Sequence, residues 1–270
     1  MNYTLGDTIL KAENISLNIG GKQILRDINL EVKDVLRPGV VTGQIIGLLA
    51  PSGMGKTQLF KILSGLNQPT TGTVLLGTEN KPVKSGDVGV VAQNYPLFEH
   101  RTIWSNLEMV CKEKTKKEKT DKINYYLDKF NLFEHKDKFP ALLSGGQKQR
   151  VAIIQQLLCS EFFILMDEPF SGLDPVMTSQ VCDMIKEVAN LHEKTTIIVV
   201  SHDISSTISI SEYIWLLGRD RDKDGNIIPG ATLKYNIDLM ERGLTWKENL
   251  VETNEFLTFV KDVKKIFKEL

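Results

Sequence analysis

Cysteine is scarce in this sequence, with three residues among 270. They lie far apart and form no C-x-x-C pair, which predicts reduced thiols in a cytosolic protein rather than a disulfide framework. Long apolar runs are missing too: "FFILM" at residues 162–166 is far below the roughly 18 residues that span a bilayer. The first ten residues, "MNYTLGDTIL", lack a basic region followed by an apolar run, so no secretory signal is expected. These absences predict a soluble chain whose membrane role depends on a partner.

The sequence also lacks an excess of positive charge. Lysine and arginine total 33 and aspartate and glutamate 34, for a formal net charge of -1. No basic excess is available to hold a nucleic-acid backbone, and no nucleic-acid partner is expected. With 41% apolar residues the chain is long enough for one core and a smaller satellite, which predicts one or two domains.

Two segments on either side of the glycine pair at residues 20–21 alternate apolar and polar residues. These segments, residues 12–19 and 23–32, predict an antiparallel hairpin with one face in water. The following run "GQIIGLLA" at residues 43–50 is continuously apolar, as in a central strand covered on both faces. Together with the helical pattern that follows, these strands predict the α/β fold class.

A glycine-rich loop, "PSGMGKT" at residues 51–57, connects this strand to a helix. Apolar residues recur at helical spacing after the loop, at Leu59, Ile62, Leu63 and Leu66. Strand, glycine loop and helix are the context of a phosphate-binding loop, in which backbone N–H groups wrap the phosphates. Lys56 can reach the β and γ phosphates, and Thr57 can place its hydroxyl on magnesium. Ala50 replaces the usual first glycine, which is acceptable if its φ is negative.

Two later apolar strands end in ionisable residues. "FFILMDEP" ends in Asp167 and Glu168, and "TTIIVVSHD" leads to His202. Ligands of parallel sheets bind at the carboxyl ends of the strands, where Asp167 can hold magnesium and Glu168 can act as general base. We expect His202 to contact a ligand rather than a metal, because no second His or Cys lies nearby at a metal-ligand spacing. Taken alone, the Asp167-Glu168 pair could be an acidic turn and His202 a structural histidine. Together with the lysine-containing loop upstream, they favour a phosphate-binding site.

The segment "LLSGGQKQRVAIIQQLL" at residues 142–158 begins a further helix. Ser144 can cap this helix, and the two glycines that follow expose main-chain N–H groups at its start. The pattern predicts a second anion-binding helix terminus. Binding one nucleotide does not obviously need two such helix termini.

The motifs and their order resemble the ATP-binding cassette of ABC-type ATPases, from about residue 14 to about residue 218. "APSGMGKT" resembles the Walker A loop, "LSGGQ" the family's own signature, and "ILMDEP" the Walker B strand with its catalytic glutamate. Gln93 in "VVAQNYPLF" resembles the Q-loop, "SGLD" the D-loop and "SHD" the switch histidine. LSGGQ followed by KQR is highly specific, whereas a Walker A loop alone is not.

The resemblance implies a role for each motif. Two cassettes pair head to tail, so that each ATP lies between one Walker A loop and the other subunit's signature, which accounts for two anion-binding termini. Nucleotide binding is assigned to Ser52, Gly53, Met54, Gly55, Lys56, Thr57 and Gln58. Catalysis is assigned to Glu168, His202 and Gln93, and magnesium to Thr57, Gln93 and Asp167. The opposite subunit contributes the signature residues Ser144, Gly145, Gly146 and Gln147, with Asp174 in the D-loop.

The implied function is that of the ATP-binding and hydrolysing subunit of an ABC transporter, with ATP and Mg²⁺ as cofactors. The partners would be a second cassette, as a homodimer or a pair, integral membrane subunits and a solute-binding protein. Such a subunit lies in the cytoplasm at the inner face of the membrane and powers solute transport, with import favoured. A soluble ABC-type ATPase in cofactor assembly, translation or DNA repair is the alternative.

The expected organisation is an α/β nucleotide-binding core with a mixed, largely parallel sheet and an antiparallel β edge layer. Residues 1–92 and 160–218 form this core, residues 93–159 form an inserted helical subdomain, and residues 219–270 form a C-terminal hairpin and helix. The hairpin is expected to turn at residues 224–225, with a calcium loop as the less favoured interpretation because Ala231 stands at the position of the bidentate ligand. An apolar stripe in the last helix is expected to dock on the core, through Phe256, Val260, Val263, Phe267 and Leu270.

Besides Ala50, three features depart from the family pattern. Ile19 stands where an aromatic residue usually stacks on adenine, and Gln155 stands at an arginine position of the signature helix. The segment at residues 34–42 is longer than the usual link into the Walker A strand and has no assigned role.

Overall fold

The computed structural model describes residues 3–40, 43–160 and 163–270. Its helices are α1 (Lys56–Leu63), α2 (Ile103–Val110), α3 (Lys116–Lys129), α4 (Gly145–Cys159), α5 (Pro175–Ala189), α6 (Ile204–Ile210) and α7 (Asn254–Glu269). Its strands are β1 (Thr4–Ile19), β2 (Lys22–Leu36), β3 (Gln44–Leu49), β4 (Thr71–Leu76), β5 (Lys81–Pro82), β6 (Gly89–Val91), β7 (Phe163–Asp167), β8 (Thr196–Ser201), β9 (Tyr213–Arg221) and β10 (Ile227–Asp238). Within the described ranges the strands form one sheet in the order β5-β4-β1-β2-β10-β9-β3-β8-β7-β6.

The centre of the sheet is parallel. β3 pairs in parallel with β8 on one side and with β9 on the other, and β7 and β6 continue the arrangement beyond β8. Every residue of β3 and β8 is buried, because apolar clusters cover both faces of the sheet. The central strand predicted from "GQIIGLLA" is confirmed. Since these strands are parallel, the loops after β3, β6, β7 and β8 leave the sheet at one common edge.

β1 and β2 form the predicted antiparallel hairpin, which closes at the glycine pair 20–21. Both glycines have positive φ values, so the tight reversal needs residues without a Cβ. The inward-facing side chains of the hairpin pack with those of β4 and α1 in one buried cluster, while the alternate side chains are exposed. The hairpin with one wet face is thus confirmed, and it lies over the helix that follows the glycine loop.

The C-terminal segment is part of the sheet. β9 and β10 pair antiparallel, and β10 also pairs in parallel with β2. In the turn at residues 222–226, Oδ1 of Asp222 accepts hydrogen bonds from the backbone N–H groups of Asp224 and Asn226. This bonding favours the hairpin interpretation. Among the described residues no group of three or more His, Cys, Asp or Glu side chains is arranged to hold a metal ion.

The structure differs from the sequence expectations in the extent of α1, and it adds detail at two other positions. α1 ends at Leu63, so Leu66 lies beyond the helix and is 52% exposed instead of joining its apolar face. The boundary expected at residue 218 falls inside β9, because pairing with β10 extends that strand. β2 takes up the first part of the 34–42 segment, in which residues 41 and 42 lie outside the described residues. The division into domains stays a prediction.

α7 docks on the core as predicted. Phe256, Val260 and Val263 are buried in a cluster with residues of β9 and α6, and Phe267 and Leu270 pack against its rim. The threonine at the helix start, Thr253, accepts a hydrogen bond from the backbone N–H of Phe256 and so caps the helix.

The helical segment between β6 and β7 consists of α2, α3 and α4. The charge run at residues 112–122 leads into α3, where Thr115 and Glu118 form a capping box. Gln155 on α4 is buried, and its Nε2 donates to the backbone carbonyl of Asn106 at 3.3 Å. The glutamine at the arginine position therefore ties α4 to α2.

The three cysteines are free, two of them buried and one half-buried. In the part of the chain that the structure describes, no helix has both the length and the apolar character needed to cross a membrane.

Glu212 is a buried carboxyl group at a junction of three chain segments that sequence reasoning did not identify. Its carboxylate accepts hydrogen bonds from the Ile45 backbone N–H at 2.5 Å and from Trp246 Nε1 at 2.8 Å. Its backbone N–H donates to Ile45 and its carbonyl accepts from Leu239. Burial raises the pKa of Glu212 to about 7, although the hydrogen bonds that its carboxylate accepts act to lower that pKa.

The pH dependence of stability should carry the signature of Glu212. Because its folded-state pKa of about 7 lies above the ordinary value of 4.5, the folded protein binds this proton more tightly than the unfolded chain. The free energy of unfolding should therefore fall by roughly 2–3 kcal/mol as pH rises from 4.5 to 7. Urea unfolding at several pH values measures this slope. The Glu212→Gln variant should have a flatter profile, and an unchanged slope would contradict the assignment.

Candidate functional site

The loop between β3 and α1 has the backbone geometry of an anion-binding turn. Gly53 and Gly55 have φ values of 80° and 82°, in the left-handed region that favours glycine. A Cβ at Gly55 would lie 2.9 Å from side-chain atoms of both Ile24 and Leu25 on β2. Gly55 precedes α1 without any side-chain cap, so no capping side chain competes with an anion for the N–H groups at the helix start. Ala50 is buried and does not adopt a positive φ, so alanine is tolerated there.

Lys56 is half-buried and points back along its own loop. Its Nζ donates to the Ala50 carbonyl at 2.7 Å and lies 4.0 Å from Oε1 of Glu168. Burial lowers the pKa of Lys56, and the nearby carboxylates of Glu168 and Asp167 oppose that effect. The ammonium group is thus held near the loop by groups that phosphate oxygens can replace.

Glu168 follows β7 in a conformation that is unusual for a residue with a Cβ, with φ 50°. Its backbone N–H donates to the Val200 carbonyl of β8 at 2.8 Å. Its Oε2 lies 2.8 Å from Nδ1 of His202, and it accepts from the His202 backbone N–H at 3.3 Å and the Ser201 hydroxyl at 3.4 Å. The neighbouring strands β7 and β8 therefore bring the predicted base and the predicted histidine together, facing the lysine loop.

Asp167 is the last residue of β7 and pairs with Val200 of β8. Burial raises the pKa of Asp167, and the adjacent Glu168 adds to the effect. Gln93 is exposed and comes two residues after β6, the strand that pairs in parallel with β7. The sheet therefore places Gln93 and Asp167 at one edge.

A cavity of about 410 Å³ opens over the loop. Its lining residues are Ile24, Ser52, Gly53, Gly55, Lys56, Thr57, Gln58 and Glu168. Met54 instead packs against the buried cluster below the loop. A larger cleft of about 820 Å³ lies by Leu76 and Cys159, but its walls mix lysines and carboxylates and contain no phosphate loop. The glycine loop, Lys56 and Glu168 come together at the smaller cavity.

Ile24 is a site residue that sequence reasoning missed. The sequence shows the alternating pattern of β2. It does not show that the glycine loop approaches this strand so closely that Ile24 lines the cavity. Ile19, the residue at the expected adenine position, is 47% exposed and does not line the cavity.

The signature residues lie at the start of α4 and do not line this cavity. Ser144 accepts a hydrogen bond from the Gln147 backbone N–H, and the Gln147 side chain accepts one from the Ser144 N–H, which forms a capping box. Gly145 has open space where a Cβ would be, and Gly146 packs near Met177. Asp174 caps α5 by accepting from two backbone N–H groups. The fold thus gathers the loop, Glu168 and His202, whereas the signature residues and Asp174 do not line the cavity.

A family model described as ABC transporter matches residues 35–171, about half of the chain. This chain belongs to the ABC transporter family. Membership of this ABC family implies nucleotide binding, and the resemblance and the α/β fold predicted from the motifs are confirmed.

The chain is similar to a spermidine/putrescine import ATP-binding protein of Thermotoga maritima, with which it shares 34% identity over 227 residues. That match covers 82% of this chain and 57% of the relative, so the chain spans little more than half of that protein's length. A probable sulfate/thiosulfate import ATP-binding protein of Chlorella vulgaris is 37% identical, over 76% of this chain and 85% of the relative. An L-cystine transport system ATP-binding protein of Escherichia coli is 32% identical, over 75% and 84%.

Among solved structures, cbiO1 of Clostridium perfringens, described as part of the ABC transporter complex cbiONQ, has the same ABC fold. The TM-score is 0.70 at 26% identity, with 88% of this chain and 92% of the other covered.

Proposed function

We propose that this chain binds and hydrolyses ATP as the nucleotide-binding subunit of an ABC transporter, and that the transporter imports a solute. The observation that carries the proposal is the convergence of Lys56, Glu168 and His202 over an uncapped helix start. Three relatives, each named as an import or transport-system ATP-binding protein, support the transport function.

In the proposed reaction the phosphates occupy the cavity over the glycine loop, and Lys56 turns from the Ala50 carbonyl to their oxygens. Glu168 accepts a proton from the water that attacks the terminal phosphorus, while the bond from this phosphorus to the bridging oxygen of ADP breaks and ADP leaves; its carboxylate is placed for this role because it faces both Lys56 and His202. His202 positions that carboxylate and contacts the terminal phosphate. Catalysis then rests on positioning and on charge stabilisation rather than on a covalent intermediate.

Thr57, Gln93 and Asp167 would hold Mg²⁺ together with the phosphates. Hydroxyl, amide and carboxylate oxygens are the hard donors that this ion prefers. Asp167 fits the role because it is half-buried beside Glu168, where burial and the second carboxylate raise its pKa and a divalent cation would offset both effects. The bound ion would neutralise charge on the phosphate oxygens during transfer.

The proposed active unit is a pair of cassettes, either a homodimer or two different chains. Ser144, Gly145, Gly146 and Gln147 of the second cassette would cover the nucleotide, and their helix start presents N–H groups to the terminal phosphate. Closure around ATP and opening after hydrolysis would drive the transporter.

The membrane subunit is proposed to dock beside the segment after Gln93. Phe98 is 46% exposed there, while Tyr95, Leu97 and Trp104 pack against the buried helical cluster. An exposed aromatic residue supported by a packed base is suited to receive a partner helix. Through this contact the chain would associate with the inner face of the membrane, and a solute-binding protein would deliver the cargo.

Co-purification tests the transporter proposal. We expect tagged Glu168→Gln protein, isolated from detergent-solubilised native membranes with ATP, to retain a stoichiometric multi-spanning protein that mass spectrometry identifies. The Phe98→Ser variant of the same tagged protein should retain less of it, and Tyr125→Ser, an exposed aromatic residue on α3, is the matched control. Reproducible recovery of ribosomal, repair or assembly factors from the soluble fraction, with no membrane protein, would contradict the proposal.

A further inference from the structure

Arg219 lies beside the phosphate loop without lining the cavity. It belongs to β9, whose Leu216 pairs with Leu49 at the end of β3, so Arg219 extends past the point where the loop begins. Its Nη2 donates to the carbonyl of Gly53 at 3.5 Å. The guanidinium therefore contacts the loop at Gly53 from outside the set of residues that line the cavity we assign to the phosphates.

The charge of Arg219 has no carboxylate partner in the described ranges. Its neighbour Asp220 is instead paired with Arg26 and Lys234. The Nε of Arg219 is buried and makes no hydrogen bond within those ranges. A buried guanidinium nitrogen without a partner is costly, so a nearby anionic group would be favourable. The phosphate loop is the adjacent anion-binding element.

The loop has few other side-chain contacts on its carbonyl groups. Lys56 donates to Ala50 and Pro51, but it belongs to the loop-helix junction and has to leave those carbonyls to reach phosphates. Of the side chains outside residues 50–57 that the structure describes, only Arg219 donates to a carbonyl of this loop. Gly53 itself has a positive φ and open space where a Cβ would be, so packing does not hold it.

We propose that Arg219 is a positioning residue for the nucleotide: it holds the phosphate loop at Gly53, and its unpaired charge strengthens binding of the polyphosphate. A fixed Gly53 carbonyl keeps the following N–H groups aimed into the cavity once Lys56 has turned to the ligand. The positive charge adds to the potential of the helix start, which favours nucleotides with more phosphate charge.

The position of Arg219 is itself fixed. Its backbone N–H donates to the carbonyl of Leu270 at 3.1 Å, and a Cβ at the preceding Gly218 would lie 2.7 Å from the Leu270 side chain. Leu270, the residue that follows α7, thus packs against β9 beside Arg219 and fixes its backbone. A movement of α7 would therefore shift Arg219 and the phosphate loop without any contact inside the cavity.

Calorimetric titration with ATP and with ADP tests this inference, which rests on the proposed nucleotide binding. Arg219→Gln should raise the Kd for ATP about tenfold, the size expected for loss of a charged hydrogen bond, and should raise the Kd for ADP less. The kcat at saturating ATP should change less than twofold, so that the loss appears in KM. Arg219→Lys keeps the charge and should recover part of the affinity.

Arg221 provides the matched control, because it lies two residues further along the same strand and its guanidinium contacts Gly225 in the distant turn. Arg221→Gln should leave both Kd values unchanged. An Arg219→Gln protein that binds ATP within twofold of the unaltered protein would overturn the inference, as would equal losses in both variants or a collapse of kcat. If the unaltered protein itself failed to bind ATP, the proposed function would fail first, so the two failures are distinguishable.

Discussion

Replacing Lys56 with alanine should raise the Kd for ATP by about 100-fold or more and reduce hydrolysis below detection. The ammonium group lies at the mouth of the glycine loop, and the variant would lose its charge-assisted hydrogen bonds to the phosphates. Burial lowers the pKa of this lysine, so its presence costs desolvation in the nucleotide-free protein. We therefore expect the thermal midpoint without nucleotide to be maintained while binding is lost.

Titration of a fluorescent ATP analogue, read together with thermal unfolding, measures both effects of Lys56→Ala. Lys61 offers a matched control because it is an exposed lysine in the last turn of the same helix. Lys61→Ala should bind ATP normally. Normal affinity in Lys56→Ala would show that the phosphates do not occupy this loop.

The second large effect is expected for Glu168→Gln, which should bind ATP with nearly unchanged affinity yet hydrolyse it about 100- to 1000-fold more slowly. The amide can still accept a hydrogen bond from the His202 ring or backbone, but it cannot take a proton from water. Since hydrolysis no longer opens the closed state, the paired cassettes should persist with ATP. The affinity and the rate are thereby separated within one variant.

Phosphate release gives the rate of Glu168→Gln, and size-exclusion chromatography with and without ATP reports the pairing. Glu187→Gln serves as the control, since Glu187 is an exposed glutamate on α5 that pairs with Lys129 of α3. It should hydrolyse ATP at the normal rate. Rapid turnover by Glu168→Gln would refute the general-base assignment and direct attention to His202.

Local patterns predicted the parts of the site that depend on neighbouring residues in the chain. The apolar run that ends at Leu49 predicts a buried strand, because a strand covered on both faces is apolar throughout. Ser144 is predicted as a helix cap because its hydrogen-bond partner follows within three positions. The convergence of Glu168 and His202 was also accessible, because the carboxyl ends of parallel strands share one edge.

Contacts that depend on distant pairing were not accessible from the sequence. Ile24 and Arg219 reach the loop only because β2 and β9 are both close to it in the folded sheet, and no pattern around either residue indicates that. Leu66 was assigned to α1 by spacing alone, but the helix ends three residues earlier. Strand order is set by the sum of many non-local contacts, which a periodicity cannot reveal.

β10 occupies an interior position although it is the final strand of the described chain. It joins β2, which carries the hairpin, to β9, which adjoins the strand leading into the loop. Without it, the facing edges of β2 and β9 would present unpaired N–H and C=O groups, the kind of edge through which proteins aggregate. A chain shortened before residue 227 would therefore lose the strand that connects the hairpin half of the sheet to its parallel half.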